Sequence, residues 1–247
     1  MLLEIYDIEP LKNFLNMIYD GALTTLGIKL DPDKLSINLL NNSHVAFYNL
    51  ELSKDFFGEY DVEDLKELFI DLGDFYQIMK SSKKNDTLTL KSDGVHITFI
   101  FESDTNRRVF EVPFVDDGYD VPVPPSIDYT GEISVLVKDL TSPCNDLDKI
   151  IGTDRFKLTA QDDLIVSAPK DSMTLYSNTI NGVSTLHENV STTVNLSYIQ
   201  EITKLKVNSM VTFFIGDTMP LSWNMYSDDG LVKVSGLIAP IISEEDE

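Results

Sequence analysis

Asp116, Asp117 and Asp120 place three carboxylates within five residues, a density that could hold a hard cation. The spacing is not that of a calcium loop, with its glycine at a fixed place and its distal glutamate, so a solvated linker is the expected reading. His44 stands beside Ser43. Its imidazole could orient the amide of a ligand, but no cysteine or second histidine is near enough in sequence for a metal, and no Ser/Asp arrangement completes a triad. Cys144 is the only cysteine, which rules out an intrachain disulfide and leaves no thiolate metal site. With 41 acidic residues, chance pairs of carboxylates of the kind an acidic hydrolase uses are easy to find. None sits in a recognisable motif: the chain has no G-x-S-x-G, H-E-x-x-H, Walker loop or G-x-G-x-x-G. These residues therefore offer no recognisable catalytic motif.

Lysines offer a different chemistry. The formal charge is −22, from 19 basic and 41 acidic residues, which opposes non-specific attraction of the chain as a whole to membranes or polyanions. A nucleic-acid role must rest on local clusters. Lysines gather where helices are expected: Lys12 in the first, Lys80, Lys83 and Lys84 at the end of the second, Lys138 and Lys149 around the third, Lys204 and Lys206 in the fourth. Lys80 and Lys84 are spaced one helical turn apart, and Lys204 falls opposite Leu196 and Ile199. Contact with phosphates needs only positive charge at the right radius, so binding would be indifferent to sequence and strongly dependent on salt.

The elements that must present these lysines follow from periodicity. Leu11, Phe14, Leu15 and Ile18 mark an amphipathic helix over 8–20, with Pro10 in its first turn and Gly21 at its end. Leu72, Phe75, Tyr76 and Met79 form a second helical stripe behind Asp71 as N-cap. The segment "SPCNDLDKIIG" predicts a short third helix, starting at Thr141-Ser142-Pro143 and studded with Asp146 and Asp148, and "VNLSYIQEITK" a fourth. Between them, alternating stretches such as "GIKLDPDKLSINLL", "HVAFYNLEL" and "TLTLKSDGVHITFIF" read as strands, the last as a hairpin turning at Asp93-Gly94.

The order helix, strands, helix, strands occurs twice. Leu72, Phe75, Ile78 and Lys80 correspond to Leu196, Ile199, Ile202 and Lys204 at a constant offset of 124, and Ile28-Lys29-Leu30 to Phe156-Lys157-Leu158 at 128. Tyr48 corresponds to Tyr176 at that second offset. Between the copies, Pro122, Pro124 and Pro125 fix φ and remove backbone donors, which favours an extended surface ribbon over a central strand. The expected division is residues 1–116, a connecting loop over 117–129, and 130–247, ending in an acidic tail from Ser243 to Glu247. Each half would lay a helix pair on antiparallel sheets, an α+β class. No basic n-region precedes an apolar run at the N-terminus, and nowhere do 18 apolar residues run together, so neither secretion nor a membrane span is expected.

Sheet edges then need partners. "NRRVFEVPF" and "DSMTLYSNTI" read as exposed edge strands that invite pairing between subunits, and head-to-tail pairing that closes makes a ring. Three further stretches, "NNSHVAFYNLEL" (41–52), "MPLSWNMY" (219–226) and "GLIAPIISEEDE" (236–247), resemble corresponding stretches of the DNA sliding clamps of the proliferating cell nuclear antigen family, of archaeal type. The similarity covers the whole chain. It implies the DNA-clamp fold: two duplicated domains per subunit, three subunits, identical or different, in a pseudo-sixfold ring, helices lining the bore and sheets outside.

As function it implies a processivity factor, not an enzyme and with no cofactor or metal, that encircles duplex DNA and tethers DNA polymerase. Clamp loader, nuclease and ligase would dock through short peptide motifs, in the cytoplasm on the nucleoid if the source is archaeal, in the nucleus if eukaryotic. Carried over by position, the docking pocket would be lined by Leu40, His44, Val45 and Phe47, by Ile127 of the ribbon, by Met219, Pro220 and Leu221, and by Leu237, Ala239, Pro240 and Ile241. At the subunit seam, Arg107 and Arg108 would pair with acids of the neighbour such as Asp171, beside Phe110, Val112, Met173 and Leu175. The alternative is a β-rich structural subunit of capsid or adhesion type, which would not concentrate lysines on helices.

Overall fold

The computed structural model describes residues 1–19, 25–115, 123–168, 176–186, 189–205 and 209–242, which gather into two compact units. The first comprises Met1–Asn42, Tyr48–Val123 and Asp228–Val234; the second comprises Ser43–Phe47, Pro124–Ser227 and Ser235–Glu247. In chain order the first copy runs β1 (Leu2–Ile5), α1 (Glu9–Ile18), β2 (Thr25–Leu30), β3 (Lys34–Leu40), β4 (Ala46–Ser53), β5 (Glu59–Asp61), β6 (Lys66–Asp71), α2 (Leu72–Lys80), β7 (Thr87–Ser92), β8 (His96–Ser103) and β9 (Asn106–Pro113). The second runs β10 (Gly131–Leu136), α3 (Val137–Asp146), β11 (Arg155–Ala160), β12 (Leu164–Ser167), β13 (Ser177–Ile180), β14 (Val183–Leu186), β15 (Val190–Asn195), α4 (Leu196–Lys204), β16 (Met210–Ile215), β17 (Leu221–Tyr226) and β18 (Val232–Ile238).

Strand pairing repeats along with element order. In the first copy β1 lies between β5 and β7, followed by β8 and β9; in the second β10 lies between β14 and β16, followed by β17 and β18. Likewise β2 lies between β3 and β6, as β11 lies between β12 and β15. The pairs that β1, β2, β10 and β11 make with their neighbours are all antiparallel. The sequence offset of 124 reappears in the fold, since both ends of α2 and α4 are separated by that number, 72 to 196 and 80 to 204.

Burial explains why these segments fold as they do. α1 buries Leu11, Phe14, Leu15, Met17 and Ile18, a stripe at helical spacing that has to face a sheet. α2 starts at Asp71, whose side chain accepts the Asp74 N–H at 2.8 Å, and α4 at Asn195, which accepts the Ser197 N–H at 2.9 Å; each cap satisfies an amide that the first helical turn leaves without a partner. Phe75 of α2 packs on Phe99 of β8, ring centroids 5.4 Å apart, and both rings are fully buried. Burial of such a side chain contributes about 1.5–3 kcal/mol. In the second unit Phe156, Phe213 and Trp223 are fully buried. Gly236 makes room for the indole: a Cβ there would sit 2.7 Å from Trp223 Nε1 and 2.6 Å from the Phe47 carbonyl oxygen.

Three expectations change. α3 begins at Val137 rather than at Thr141, because the buried spacing Val137, Leu140, Cys144, Leu147 starts there and the helix carries Pro143 in its interior. It continues as a π-helical turn, Leu147–Ile151, closed by Gly152 at φ 72°. α2 ends at Lys80 with Ser81 as C-cap, so Lys84 lies in the turn beyond it and the helical phase inferred for Lys84 does not apply. The N-terminal strand β1 is an addition, its two buried positions, Leu3 and Ile5, being too few to read as alternation. Residues 123–130 of the ribbon form neither helix nor strand, with Val123 86% exposed. No described helix is long and apolar enough to cross a membrane.

If the Asp71 cap is what starts α2, Asp71→Ala should cost about 1 kcal/mol, which for a chain of this size lowers the melting temperature by roughly 2–4 °C. Differential scanning calorimetry would show this against wild type, with no loss of folded secondary structure below the transition.

Candidate nucleic-acid interface and docking surface

With their apolar stripes buried, the four helices turn their polar sides and ends outward. Lys80 and Lys204, at corresponding ends of α2 and α4, are exposed, where a cation also complements the partial negative charge of a helix C-terminus. Lys80 Nζ stands over the Tyr76 ring, 5.6 Å from its centroid, and Tyr76 stacks on Tyr19 at 3.9 Å and 9°. Lys83 and Lys84 are exposed in the turn after α2, Lys138 in the first turn of α3, and Lys149 in the π-helical turn. Lys12 differs: it is half-buried and its Nζ donates to the Ser82 carbonyl oxygen at 3.3 Å, which ties α1 to the turn that carries Lys83 and Lys84. Lys206 lies outside the described residues, as do Asp116, Asp117 and Asp120. The Tyr19–Tyr76 stack had no signal in the sequence, where Tyr76 reads as part of the apolar stripe of its own helix.

The docking stretch is assembled within the second unit. The Ala239 N–H donates to the Val45 carbonyl oxygen at 2.7 Å and the Ile241 N–H to that of Thr193 at 2.7 Å, so the C-terminal segment lies in extended form along the stretch that holds His44 and Phe47. His44 is exposed with φ at 58°. Val45, Ile127, Pro220, Leu237, Ala239, Pro240 and Ile241 are half-buried. Met219 is 37% exposed and covers Gly216, where a Cβ would sit 2.6 Å from its Sδ.

Phe47 and Leu221 are corrections. At 7% and 0% exposure both are buried in the core, so neither side chain is presented on the surface. Leu40 is half-buried and belongs to the first unit. A cleft of about 240 Å³ adjoins the patch, lined by Lys157, Ser191–Thr193, Asp217, Thr218 and Pro240–Ile242. Its walls are largely polar, unlike the apolar pocket expected, and Asp217 Oδ1 there accepts the Ser191 N–H at 2.9 Å.

The seam residues are also redistributed. β9 is the last strand of its sheet and β13 the last of its own, so both offer an open edge. Arg107, however, donates through Nε to Glu102 Oε1 at 2.8 Å, directly across the β8–β9 ladder, and Arg108 pairs with Asp86. Both guanidinium groups are engaged within their own unit. Val112 is buried at 3% exposure, Phe110 packs edge-on against Phe101 at 6.1 Å, and the exposed apolar side chain of the strand is Val109. Asp171, Met173 and Leu175 lie outside the described residues.

Among the described residues no group of three His, Cys, Asp or Glu side chains is placed to hold a metal ion. Cys144 is buried, and burial pushes its thiol up to about 12, far from a nucleophilic thiolate.

Comparison with known proteins gives a consistent likeness. Residues 5–116 match the model of the proliferating cell nuclear antigen N-terminal domain. The chain is 29% identical over 252 residues to a DNA polymerase sliding clamp of Methanobrevibacter smithii, covering 99% of this chain and 98% of that one. A second, from Methanothermobacter thermautotrophicus, is 27% identical over 223 residues, 89% of each chain. Among solved structures, a chain of the PCNA2–PCNA3 complex from Sulfolobus tokodaii superposes with a TM-score of 0.84 at 20% identity, covering 97% of this chain and 99% of that one. The fold is thus that of the proliferating cell nuclear antigen structures, and the resemblance read from the sequence extends along the whole chain.

The burial of Leu221 against the exposure of Met219 yields a contrast. Leu221→Asp places a charge in the core and should unfold the second unit, a loss of several kcal/mol, whereas Met219→Asp should leave the melting temperature within about 2 °C of wild type, since exposed sites change stability by roughly 0.5 kcal/mol or less. Thermal melts of the two variants check this.

Proposed function

We propose that this chain, which resembles the proliferating cell nuclear antigen family of sliding clamps from end to end, encircles duplex DNA and tethers DNA polymerase, acting as a processivity factor. The observation that carries the proposal is the doubled architecture: the same order of elements and the same strand pairing occur twice, each time with a pair of helices that buries its apolar side and turns lysines outward. That is what a ring of repeated units with a cationic bore requires. The relatives named as DNA polymerase sliding clamps, similar over nearly their full length, support the same reading. Nothing in them favours a capsid or adhesion subunit.

Closure would come from the open edges. β9 of one copy adding to β13 of the next continues a sheet across the seam, and three copies of a two-unit chain give the pseudo-sixfold ring. With Arg107 and Arg108 satisfied internally, backbone pairing and exposed apolar groups such as Val109 would hold the seam. The lysines Lys80, Lys83, Lys84, Lys138, Lys149 and Lys204 would meet phosphates without reading bases. Few such contacts in a chain of net charge −22 favour loose, mobile holding; topology rather than affinity keeps the DNA. No bond is made or broken in this role, so it asks for no cofactor.

Polymerase, and with it clamp loader, nuclease and ligase, would dock by short peptides on the patch formed by His44, Val45, Ile127, Met219 and the extended Ala239–Ile241 segment, where a peptide strand can pair with backbone while side chains fill the surface. The place of work would be wherever the cell keeps its DNA, the nucleoid in an archaeal cell.

Primer extension on a primed circular template, with a cognate polymerase and loader, tests the function: the clamp should lengthen products many-fold. Replacing Lys80, Lys84 and Lys204 together with Ala should weaken direct duplex binding and flatten its salt dependence by roughly 0.9 in log–log slope for each phosphate contact removed. Unchanged binding and slope would remove the helices from the DNA-facing role.

A further inference from the structure

The turn that follows α2 is held from two sides. Arg108 of β9 donates through Nη1 to the Ser81 carbonyl oxygen at 2.7 Å and to Ser81 Oγ at 3.4 Å, and through Nη2 to Asp86 Oδ2. That same Oδ2 accepts the Lys83 N–H at 2.7 Å, while the Asp86 N–H returns to the Lys83 carbonyl oxygen at 3.1 Å. From the other side Lys12 of α1 donates to the Ser82 carbonyl oxygen at 3.3 Å. Between these ties stand Lys83 and Lys84, both exposed.

The arrangement is specific to an arginine. Its planar fork serves two acceptors in fixed directions at once, the orphan carbonyl at a helix end and a carboxylate, and its face covers the Phe101 ring at 5.2 Å. A lysine offers a single ammonium on a flexible stem and cannot reproduce this. The Asp86 side chain is 3% exposed and that of Arg108 22%, so the pair is shielded from solvent, whereas Arg107 one position earlier is 60% exposed on its own glutamate. A shielded, multiply bonded pair fixes geometry in a way that an exposed one does not.

We propose that Arg108 and Asp86 are positioning residues for Lys83 and Lys84: by clamping the Ser81 carbonyl and the Lys83 amide they set where the two ammonium groups project toward duplex phosphates. The inference rests on the reading of the helix ends as DNA-facing, and adds to it residues that do not touch DNA.

The test measures binding of a fluorescent linear duplex by anisotropy over a salt series, using the full chain. Lys83→Ala/Lys84→Ala should lower the log–log slope by about 1.8 for each copy in contact, at roughly 0.9 per phosphate. Arg108→Gln should lower it by a comparable amount, Arg108→Lys should recover part of it, and Arg108→Gln added to the double lysine variant should change it no further, since groups acting through one another are not additive. A wild-type slope in a folded Arg108→Gln, or a loss that adds to that of the lysines, overturns the proposal. If thermal melting shows that Arg108→Gln does not fold, Asp86→Asn, equal in size but with a neutral amide oxygen that accepts more weakly from both the Lys83 N–H and Arg108, carries the same expectations and the same refutations. A wild-type chain with no salt-dependent duplex binding removes the helix ends from the DNA-facing role and this proposal with them, whereas wild-type binding with an unmoved variant slope overturns this proposal alone.

Discussion

The surface of this protein is decided by what its helices must hide. α1, α2, α3 and α4 each carry one apolar stripe, and once Phe14, Phe75, Leu140 and Ile199 are buried, rotation of each helix about its axis is no longer free. Polar residues are then presented on the opposite side whatever their chemistry. In α2 the buried positions are Leu72, Phe75 and Met79, which leaves Lys80 outside beside Tyr76; in α4 they are Leu196, Ile199 and Ile202, which leaves Lys204 outside at the corresponding end. The same burial requirement, met twice, yields two similar cationic helix ends in a chain whose overall charge is strongly negative.

That arrangement also separates tasks between the two kinds of basic residue. Among the described residues, Lys80 and Lys204 at the helix ends are exposed and in no ion pair, whereas Arg107 and Arg108 of β9 are engaged by Glu102 and Asp86. Exposed ion pairs are worth about 0–1 kcal/mol, so arginines projecting from an edge strand would add little to an interface compared with the backbone groups of the strand itself. Turned inward, Arg108 instead secures a helix end and the turn beyond it. The edge strand that would join copies and the turn that would meet DNA are thereby parts of one locally braced region.

Much of this was legible in the amino-acid sequence, for a physical reason: helix phase, hairpin turns and duplication are local or periodic properties. The Asp71 cap, the Asp93-Gly94 turn, with Gly94 at φ 95°, and the identical spans of α2 and α4 follow from neighbours within a few residues. Where the reading departed from the structure, a longer-range term decided. Pro143 suggested a helix start, but burial of Val137 and Leu140 carries the helix upstream through it. Leu221 and Phe47 belong to a stretch that resembles a docking site, yet both side chains are buried by residues distant in sequence. Arg108 finds Asp86 across 22 positions of sequence, a pairing that no periodicity encodes. The Tyr19–Tyr76 stack joins two helices and is invisible in either alone.

The central claim is topological: copies of the chain close around a double helix, and closure rather than affinity retains it. It is tested most directly by loading the protein on nicked circular duplex, isolating the complex, and following its release before and after a single linearising cut, with solution mass determined by light scattering on the same preparation. A mass three times that of one chain, with retention on the circle and rapid loss from the cut ends, is the expected result. A single-chain mass, or equal retention on circular and linear DNA, contradicts it.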